Sequence, residues 1–492
     1  MSADFEHLPA GRSGAALARN RIYGPILGVL GVLPLAAWLW GFTVDDALIS
    51  ARVAVHLAQG FGYRFNAGGP VTDAVTPLGY AGLLALFARI VHGDTWLTFR
   101  FAKGLGLGAW LVAAGVLGST IARVGQSVRR YLPLALLALS APLAAWSVSG
   151  METGIVTMLV TIGLLSGAGA ALALGIAAAW RPELLPFALV LVVLRARGAS
   201  HGARLALAAC CAPVLCVALL RLHYFGRAVP LSFYAKPSDF EHGLRYTLGA
   251  LAFTGSPWLL LTGPAQWRRF PRSARPLLAA LAAHSCALVL CGGDWMPMYR
   301  LFVPVLPGFA LVAAHLAEYA TWPSLAGRTL LALGSSLILG LGLAPAARSV
   351  GADRARLIAR ARPALAGDAR IAALDVGWVG ASSDAVVIDL AGVTDPEVAF
   401  FPGGHTTKRI PRAWLFAREP SAIVLLLAPG AALETPFEAS YFSRGVEARV
   451  ARMVAGEFRV RTTLDLGAQT YVVLEPVQSA QPGDSLQNLP TR

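Results

Sequence analysis

Two adjacent carboxylates, Asp45 and Asp46, directly follow the first long apolar stretch of the chain, residues 23–42. Carboxylates accept protons in acid–base catalysis and bind cations. The structural alternative is a helix start, because Asp is a favoured N-cap and acidic residues in a first turn interact well with the helix dipole. The pair therefore predicts either a chemical site or the beginning of a helix.

Acidic residues are scarce throughout the apolar part of the chain. Residues 23–344 contain only ten: Asp45, Asp46, Asp73, Asp94, Glu152, Glu183, Asp239, Glu241, Asp294 and Glu318. The topology derived below places all of them except Glu318 on one face of a membrane. Ionisable groups are costly in a membrane protein and are usually functional. We therefore expect chemistry or ion binding on that face.

Basic side chains accompany these acids. Arg52 lies seven residues after Asp45, so a helix would place both on one face. Lys236 follows the aromatic pair Phe233 and Tyr234, in a chain with only three lysines among 41 basic residues. Lys236 could make a compact contact with phosphate. The alternative is that it lies at the membrane surface with its aliphatic part in the apolar region and its charge in water.

Two more groups of candidates lie near the ends of later apolar segments. Asp294 and Arg300 bracket Trp295 and Tyr299, and this group could bind a polar ligand or form an internal ion pair. The remaining candidates are Glu152, Arg181 and Glu183. The two alternative roles for these residues are a salt bridge between helices and a contact with substrate.

The composition indicates a polytopic membrane protein. The chain has 492 residues, of which 56% are hydrophobic and 14% charged. Apolar stretches of the roughly 20 residues that cross a bilayer recur until about residue 343. The net charge of +14 comes from arginines clustered in short loops, which indicates membrane topology and not a nucleic-acid partner. All five cysteines lie in apolar stretches, which predicts core residues.

The arginine clusters place the N-terminus in the cytoplasm, with the first apolar segment as a retained anchor. A segment at 78–91 is predicted to lie along the outer surface. We expect about eleven transmembrane helices, near residues 23–42, 99–122, 131–148, 151–167, 169–180, 183–195, 204–222, 245–263, 275–291, 300–318 and 326–344. The short pair 169–180 and 183–195 is expected to meet at the corner Arg181-Pro182-Glu183.

The last part of the chain has the pattern of a soluble domain. Strand-like runs separated by Gly, Pro and charged residues predict a small α/β fold. These runs are Ile371 to Asp375, Val386 to Leu390, Ile423 to Leu427 and Tyr471 to Leu474. The topology places this domain outside the membrane, although the arginine-rich stretch 348–362 would favour the cytoplasm. Residues 478–492 are predicted to be disordered.

Several motifs, taken in order, resemble those of a known family. The first loop contains Asp45-Asp46-Ala47-Leu48-Ile49-Ser50-Ala51-Arg52, followed by Gly60-Phe61-Gly62 and Phe65-Asn66. Later matches are Gly150-Met151-Glu152-Thr153, Arg181-Pro182-Glu183, Phe233-Tyr234-Ala235-Lys236, Gly292-Gly293-Asp294-Trp295-Met296-Pro297, Asp375-Val376-Gly377 and Asp389-Leu390-Ala391-Gly392. The chain thus resembles GT-C glycosyltransferases that use polyprenyl-phosphate sugars, especially the mycobacterial terminal arabinofuranosyltransferase group. The stretch Val75-Thr76-Pro77-Leu78 departs from that group, which puts the identity of the sugar in doubt.

The resemblance implies a GT-C-like polytopic α-helical membrane protein with amphipathic helices in the first external loop and a small C-terminal α/β periplasmic domain. The expected domains are residues 1–344, with the first periplasmic loop at 43–98, then residues 345–477 and the tail 478–492. The expected location is the bacterial inner membrane, with the active site on the periplasmic face.

The implied activity is inverting transfer of a sugar, such as arabinofuranose, from a polyprenyl-phosphate donor to an envelope glycan, glycolipid or protein. By resemblance Asp45 is the general base and Asp46 orients the acceptor, the base or a divalent ion. Donor phosphate contacts are expected from Arg52, Arg181, Lys236 and Arg300. Contacts to sugar or acceptor are expected from Glu152, Glu183, Tyr234, Asp294, Trp295 and Tyr299.

Three further points stay open at this stage. External carboxylates suit Mg²⁺ or Mn²⁺, but no spacing defines a ligand set. A transporter or lipid flippase is the main alternative activity, although the chain shows no convincing internal repeat and no acid at the centre of a span. A membrane-anchored binding protein without turnover is a third possibility.

Overall fold

The computed structural model describes residues 14–196, 200–431, 438–466 and 469–477, so the predicted disordered tail lies outside the described residues. The described chain is mostly helical, with a small sheet near its C-terminal end. It divides into two compact units. The second unit combines the chain from Asp353 onward with two short segments, Asn66–Pro70 and Tyr234–Lys236, and the first unit holds the remainder.

The helices before the sheet follow the apolar segments of the sequence. They are α1 Gly14–Trp38, α2 Asp45–Ala58, α3 Leu78–Ile90, α4 Thr95–Ile121, α5 Leu132–Ala138, α6 Ala141–Ser147, α7 Thr153–Gly163, α8 Ala168–Trp180, α9 Leu185–Arg195, α10 His201–Phe225, α11 Leu231–Ala235, α12 Phe240–Phe253, α13 Pro264–Arg269, α14 Arg275–Cys291, α15 Leu306–Glu318, α16 Trp322–Gly342 and α17 Ala344–Ala364. The expected corner between the helices at 169–180 and 183–195 is present, since α8 ends at Trp180 and a 3-10 turn spans Pro182–Leu184.

Helix lengths differ from the expectation of about eleven spans. Within the described residues, four helices are long and apolar enough to cross a membrane: Thr95–Ile121, His201–Phe225, Arg272–Cys291 and Trp322–Ala364. A fifth is obtained if the bent pair Val128–Ala138 and Ala141–Ser147, which meet at 58°, counts as one span. Several other expected spans are apolar helices of only 11–13 residues, such as Thr153–Gly163 and Ala168–Trp180. Prolines near the starts of α5, α6 and α9 contribute to this, because proline removes a backbone donor and interrupts a continuous helix.

Close helix crossings at glycine hold the first unit together. A Cβ atom on Gly24 of α1 would lie 2.5 Å from the Gly118 carbonyl oxygen of α4, and one on Gly154 of α7 would lie 2.4 Å from the Gly106 carbonyl oxygen. Glycine at such a crossing lets two helix backbones approach directly. A larger residue at Gly24 or Gly154 would force these helices apart.

The two helices of the first loop differ in burial. Helix α3 is two-faced as predicted, since Tyr80, Leu84 and Ala88 are buried while Leu86 and Ile90 are exposed. Helix α2 was also expected to be amphipathic, but all of its residues from Ala47 to His56 are buried. Its polar side chains, including that of Arg52, therefore face protein and not solvent. The acidic beginning of α2, at Asp45 and Asp46, and its last two residues, Leu57 and Ala58, are half-buried.

The second unit is an α/β fold built on a mixed five-stranded sheet. Its elements are β1 Arg370–Ala373, α18 Val376–Ser382, β2 Val386–Asp389, α19 Pro396–Ala399, α20 Arg412–Phe416, β3 Ala422–Leu426, α21 Gly445–Val454, β4 Phe458–Asp465 and β5 Thr470–Pro476. The strand order is β2-β1-β3-β5-β4, with β1 parallel to β2 and β3 and the remaining pairs antiparallel. The four predicted strands are present, and β4 is an additional edge strand.

One segment from the first loop completes the edge of this sheet. The Asn66 side-chain amide donates to the Val387 carbonyl oxygen at 2.9 Å and accepts from the Val387 backbone N–H at 2.9 Å. These two bonds occupy the outer side of edge strand β2 in the way a neighbouring strand would. Tyr234, from the other inserted segment, packs its ring 4.8 Å from that of Phe400.

Candidate active site

The acidic pair lies at the first residues of α2. The helix begins at Asp45, its N-cap is Val44, and no side chain caps it. Neither aspartate therefore acts as the N-cap, although both occupy the first turn, where the helix dipole favours negative charge. Within the described residues the half-buried Asp46 carboxylate accepts no hydrogen bond. Asp46 thus presents an unused acceptor at the start of a buried helix.

A strained loop carries the second group of predicted residues. Between α14 and α15, Gly292, Gly293, Met298 and Tyr299 all have positive φ, which is uncommon for the two non-glycine residues. Such strain persists only where the surrounding structure enforces it, and it is concentrated at functional sites. The loop brings Asp294 and Arg300 together, with Arg300 Nε donating to Asp294 Oδ2 at 2.7 Å.

Arg300 is only partly satisfied by its protein partners. It is 7% exposed and its guanidinium lies 5.5 Å from the centre of the Trp146 ring. Within the described residues only Nε donates a hydrogen bond, so both terminal nitrogens keep their donors. Burial lowers the pKa of Arg300, but the carboxylates of Asp294, Glu152 and Asp46 outweigh it and raise the pKa above its usual value. Three predicted acids thus act on one arginine.

A second arginine joins the same group from the corner between α8 and α9. Arg181 forms ion pairs with Glu152, at 3.2 Å from Oε1, and with Glu183, at 2.9 Å from Oε1. Glu152 is fully buried, yet neither of its carboxylate oxygens accepts a hydrogen bond within the described residues, and the buried Arg181 Nη2 donates none. The ion pairs therefore leave hydrogen-bonding capacity on both partners.

We call Asp46, Glu152, Arg181, Glu183, Asp294 and Arg300 the open cluster. When ionised it holds four carboxylates against two guanidinium groups. Buried polar atoms are normally satisfied, so atoms left without partners are candidates for binding a ligand. Guanidinium donors suit a phosphate oxygen, and carboxylates suit hydroxyl protons. The open cluster is therefore suited to a hydroxyl-rich ligand that carries an anionic group.

Lys103 of α4 positions the two acid-bearing segments. Its Nζ is 4% exposed and donates to the Phe42 and Val148 carbonyl oxygens, each at 2.6 Å. These carbonyls lie three residues before Asp45 and four before Glu152. Between the same two segments, Thr43 Oγ1 donates to the Ser149 carbonyl oxygen at 2.9 Å. The acids are thus held by side chains that the sequence patterns did not identify.

Aromatic residues lie beside the strained loop. Trp295 is 60% exposed and stacks on His242 of α12, with ring centres 4.3 Å apart. Tyr299 packs against Tyr246, whose hydroxyl accepts from the Leu301 backbone N–H at 2.9 Å. His242 and Tyr246 were not among the predicted site residues. Their spacing of four residues, which puts them on one helix face, is the sequence signal that would have found them.

Three other predicted ligands, Arg52, Tyr234 and Lys236, are described by their own contacts. Arg52 donates from Nε to the Phe65 carbonyl oxygen at 2.9 Å and its guanidinium lies over the Phe65 ring, which favours a structural role for it. Tyr234 and Lys236 belong to the second unit. Lys236 is half-buried and, within the described residues, makes no hydrogen bond or ion pair, so it stays a candidate anion contact.

The second unit contains a different buried charge network, which we call the closed network. Arg444 donates to both oxygens of Asp375, at 2.8 and 3.0 Å, and to both oxygens of Glu447, at 2.7 Å each. Tyr471 also donates to Asp375, and the Leu426 backbone N–H donates to Glu447. Burial alone would raise the pKa of Asp375, but Arg444 outweighs it and lowers that pKa to about 2. Every carboxylate oxygen in this network has a partner.

Comparison with known proteins yields one match. Residues 348–474 match the model of a family described as a domain of unknown function, DUF8728. The match begins in α17 and ends in β5, so it covers most of the second unit. No curated protein and no solved structure matches the chain. The open cluster lies outside the matched range, and its role must be argued from its geometry.

The predicted cation has no defined site. Among the described residues there is no group of three or more His, Cys, Asp or Glu side chains arranged to hold a metal ion. Asp46 lies near Arg300, and the other three acids of the open cluster each pair with an arginine. The involvement of Mg²⁺ or Mn²⁺ stays a prediction.

Proposed function

We propose that the protein is a membrane glycosyltransferase that transfers a sugar from a polyprenyl phosphate, with the open cluster and the adjoining Asp45 as its catalytic centre. The main observation behind the proposal is the Arg300 guanidinium, which has two nitrogens without an acceptor among the described residues while three carboxylates act on it. Its donors suit the phosphate that leaves with the lipid, and a nearby carboxylate suits the acceptor hydroxyl. The four long apolar helices support a membrane location.

The proposed reaction is a single displacement. The acceptor hydroxyl oxygen attacks the anomeric carbon while Asp45 takes the hydroxyl proton. The bond between the anomeric carbon and the phosphate oxygen breaks, and polyprenyl phosphate leaves with both electrons of that bond. Arg300 and Arg181 stabilise the negative charge on the leaving phosphate. Attack from the side opposite the phosphate inverts the anomeric configuration.

The proposal extends to the setting implied by the motif resemblance. The protein resides in the bacterial inner membrane, and transfer takes place at the periplasmic face onto an envelope glycan, glycolipid or protein. Arabinofuranose is the sugar that the resemblance favours. An exposed Trp295 beside Asp294 supports a carbohydrate ligand, since sugar rings pack well on aromatic faces.

The test is release of polyprenyl phosphate from a panel of synthetic polyprenyl-phosphate sugars, measured by mass spectrometry with a crude envelope acceptor. We expect the wild type to use one donor and Asp45→Asn to lose about two to four orders of magnitude, as for loss of a general base. Asp94→Asn is the matched control, because Asp94 caps α4 by accepting from the Leu97 backbone N–H at 2.8 Å. Equal rates for wild type and Asp45→Asn would refute the base assignment.

If the wild type releases lipid phosphate from no donor, the same preparation in liposomes decides the alternative. Movement of a polyprenyl-phosphate sugar across the bilayer without cleavage would replace the transferase proposal with a flippase.

A further inference from the structure

A fully buried histidine connects the two arginine-bearing segments of the open cluster. His284 of α14 is 0% exposed. Its Nδ1 lies 3.2 Å from the Glu183 carbonyl oxygen, and its Nε2 lies 3.0 Å from the Leu301 carbonyl oxygen. Glu183 is two residues from Arg181, and Leu301 directly follows Arg300. One side chain thus contacts both backbone segments that carry the guanidinium groups.

Both contacts of His284 are with acceptors. A neutral imidazole donates from one nitrogen only, whereas the protonated ring donates from both. In either state the ring donates to at least one of the two carbonyls, and it donates to both when it is protonated. The rings of Phe187 and Phe302 flank the fully buried histidine, with ring centres 6.5 Å from that of the imidazole.

The segments that His284 contacts have irregular backbone conformations. Arg181 has φ −135° and ψ 89°, which is outside the helical region, and the loop before Leu301 contains two non-glycine residues with positive φ. Backbone bonds from the Arg181 N–H to the Ala177 carbonyl oxygen and from the Phe302 N–H to the Tyr299 carbonyl oxygen, each at 2.9 Å, hold each segment locally. His284 contacts both segments and so relates one to the other. Leu301 has one further restraint, the bond from its N–H to the Tyr246 hydroxyl.

We propose that His284 is a positioning residue that sets Arg181 and Arg300 at the separation required to bind one phosphate group between them. This inference rests on the proposed function, since it assigns the phosphate to that same site. His284 touches no substrate and acts only through the two backbone segments. A misplacement of about 1 Å can cost about 100-fold in a positioned interaction, so the effect is measurable.

The experiment measures binding of farnesyl phosphate to the full-length protein in detergent by isothermal titration calorimetry, with farnesol as the ligand without phosphate. The variants are His284→Phe, which removes both nitrogens, and His284→Gln, whose amide keeps two N–H donors. The control is His315→Phe on α15, where a half-buried histidine packs on Phe270 and contacts neither segment.

We expect His284→Phe to weaken binding of farnesyl phosphate by about tenfold or more, while His284→Gln restores it to within about threefold of the wild type. The affinity for farnesol should be the same in all of these proteins, because binding of the isoprenoid chain does not involve the arginines. A general structural defect would weaken the binding of both farnesyl phosphate and farnesol. If His284→Phe does not fold, the ratio of the affinity for farnesyl phosphate to the affinity for farnesol is compared between His284→Gln and His284→Asn instead.

The outcomes separate this inference from the proposal on which it rests. Wild-type binding of farnesyl phosphate that is unchanged in His284→Phe overturns the positioning role and leaves the transferase proposal intact. Equal loss of farnesol and farnesyl phosphate binding also overturns it. If wild type binds farnesyl phosphate no better than farnesol, there is no phosphate site and the transferase proposal fails with it.

Discussion

The two buried charge networks of this protein are built from the same types of side chain, arginines and carboxylates, but differ in how completely these are hydrogen-bonded. In the closed network, one arginine joins two carboxylates, and all four carboxylate oxygens accept hydrogen bonds. In the open cluster, four carboxylates share two arginines, yet among the residues that the structure describes Glu152 accepts no hydrogen bond and Arg300 donates only one. A satisfied buried network stabilises a fold, whereas unmet donors and acceptors are costly and are retained for a purpose. Complete hydrogen bonding therefore indicates a structural ion pair, and unmet donors and acceptors indicate a ligand site.

The largest effect should come from breaking the closed network. Arg444→Met would leave Asp375 and Glu447 buried without their cation, and removing one partner of a buried ion pair typically costs about 3–5 kcal/mol. We expect a marked fall in the thermal midpoint of the second unit, measured by thermal unfolding of the full chain. Transfer per folded molecule should stay unchanged below that midpoint. An unaltered midpoint would show that the network does not stabilise this unit.

The corresponding change in the open cluster should affect transfer instead. Arg300→Lys keeps the charge and the contact with Asp294 but loses the planar fork that two phosphate oxygens would accept. We expect transfer to fall about 100-fold, or about 2.7 kcal/mol in activation free energy, with a thermal midpoint close to wild type. Loss of stability without loss of transfer would make this cluster structural as well.

Acid should weaken the closed network. The pKa of Asp375 is lowered to about 2 from its ordinary value of 3.8. The stabilisation is therefore fully present above about pH 4 and is lost as the pH falls through about 2. The shift corresponds to about 2 kcal/mol. Thermal midpoints between pH 2 and 5 should fall in wild type and change less in Asp375→Asn; equal slopes would contradict the assignment.

The smallest effect concerns the edge of the sheet. Asn66→Ala removes two hydrogen bonds to Val387, each worth about 1 kcal/mol, and exposes the backbone of β2. We expect faster hydrogen exchange at Val387 and a slightly lower midpoint. Asn66→Asp is the informative control, because it keeps the acceptor for the Val387 N–H and loses the donor.

Local patterns predicted much of the fold. Apolar runs located most of the helices, and alternating or β-branched runs located four of the five strands. The additional strand, β4, has the sequence Phe-Arg-Val-Arg-Thr-Thr-Leu-Asp, in which three of eight residues are apolar, so its hydrophobic signal is weak and suits an edge strand. Helix length was less predictable, because apolar stretches continue through prolines, which divide them into shorter helices. The number of membrane spans stays a prediction.

The candidate site was partly predictable from the sequence. Asp46, Glu152, Arg181, Glu183, Asp294 and Arg300 were identified as rare charges near the ends of apolar segments, and the structure brings them together. Lys103 and His284 were not identified, because a single polar residue inside an apolar helix has no local pattern. Their function depends on carbonyl groups distant in the sequence.

The most direct test of the account replaces one aspartate with asparagine in each network and measures transfer and the thermal midpoint together. Asp46→Asn should lower transfer by about 100-fold or more and leave the midpoint near that of wild type. Asp375→Asn should lower the midpoint and leave transfer per folded molecule unchanged. If Asp46→Asn retains full transfer, or if it destabilises the protein as strongly as Asp375→Asn does, the open cluster is not the catalytic centre.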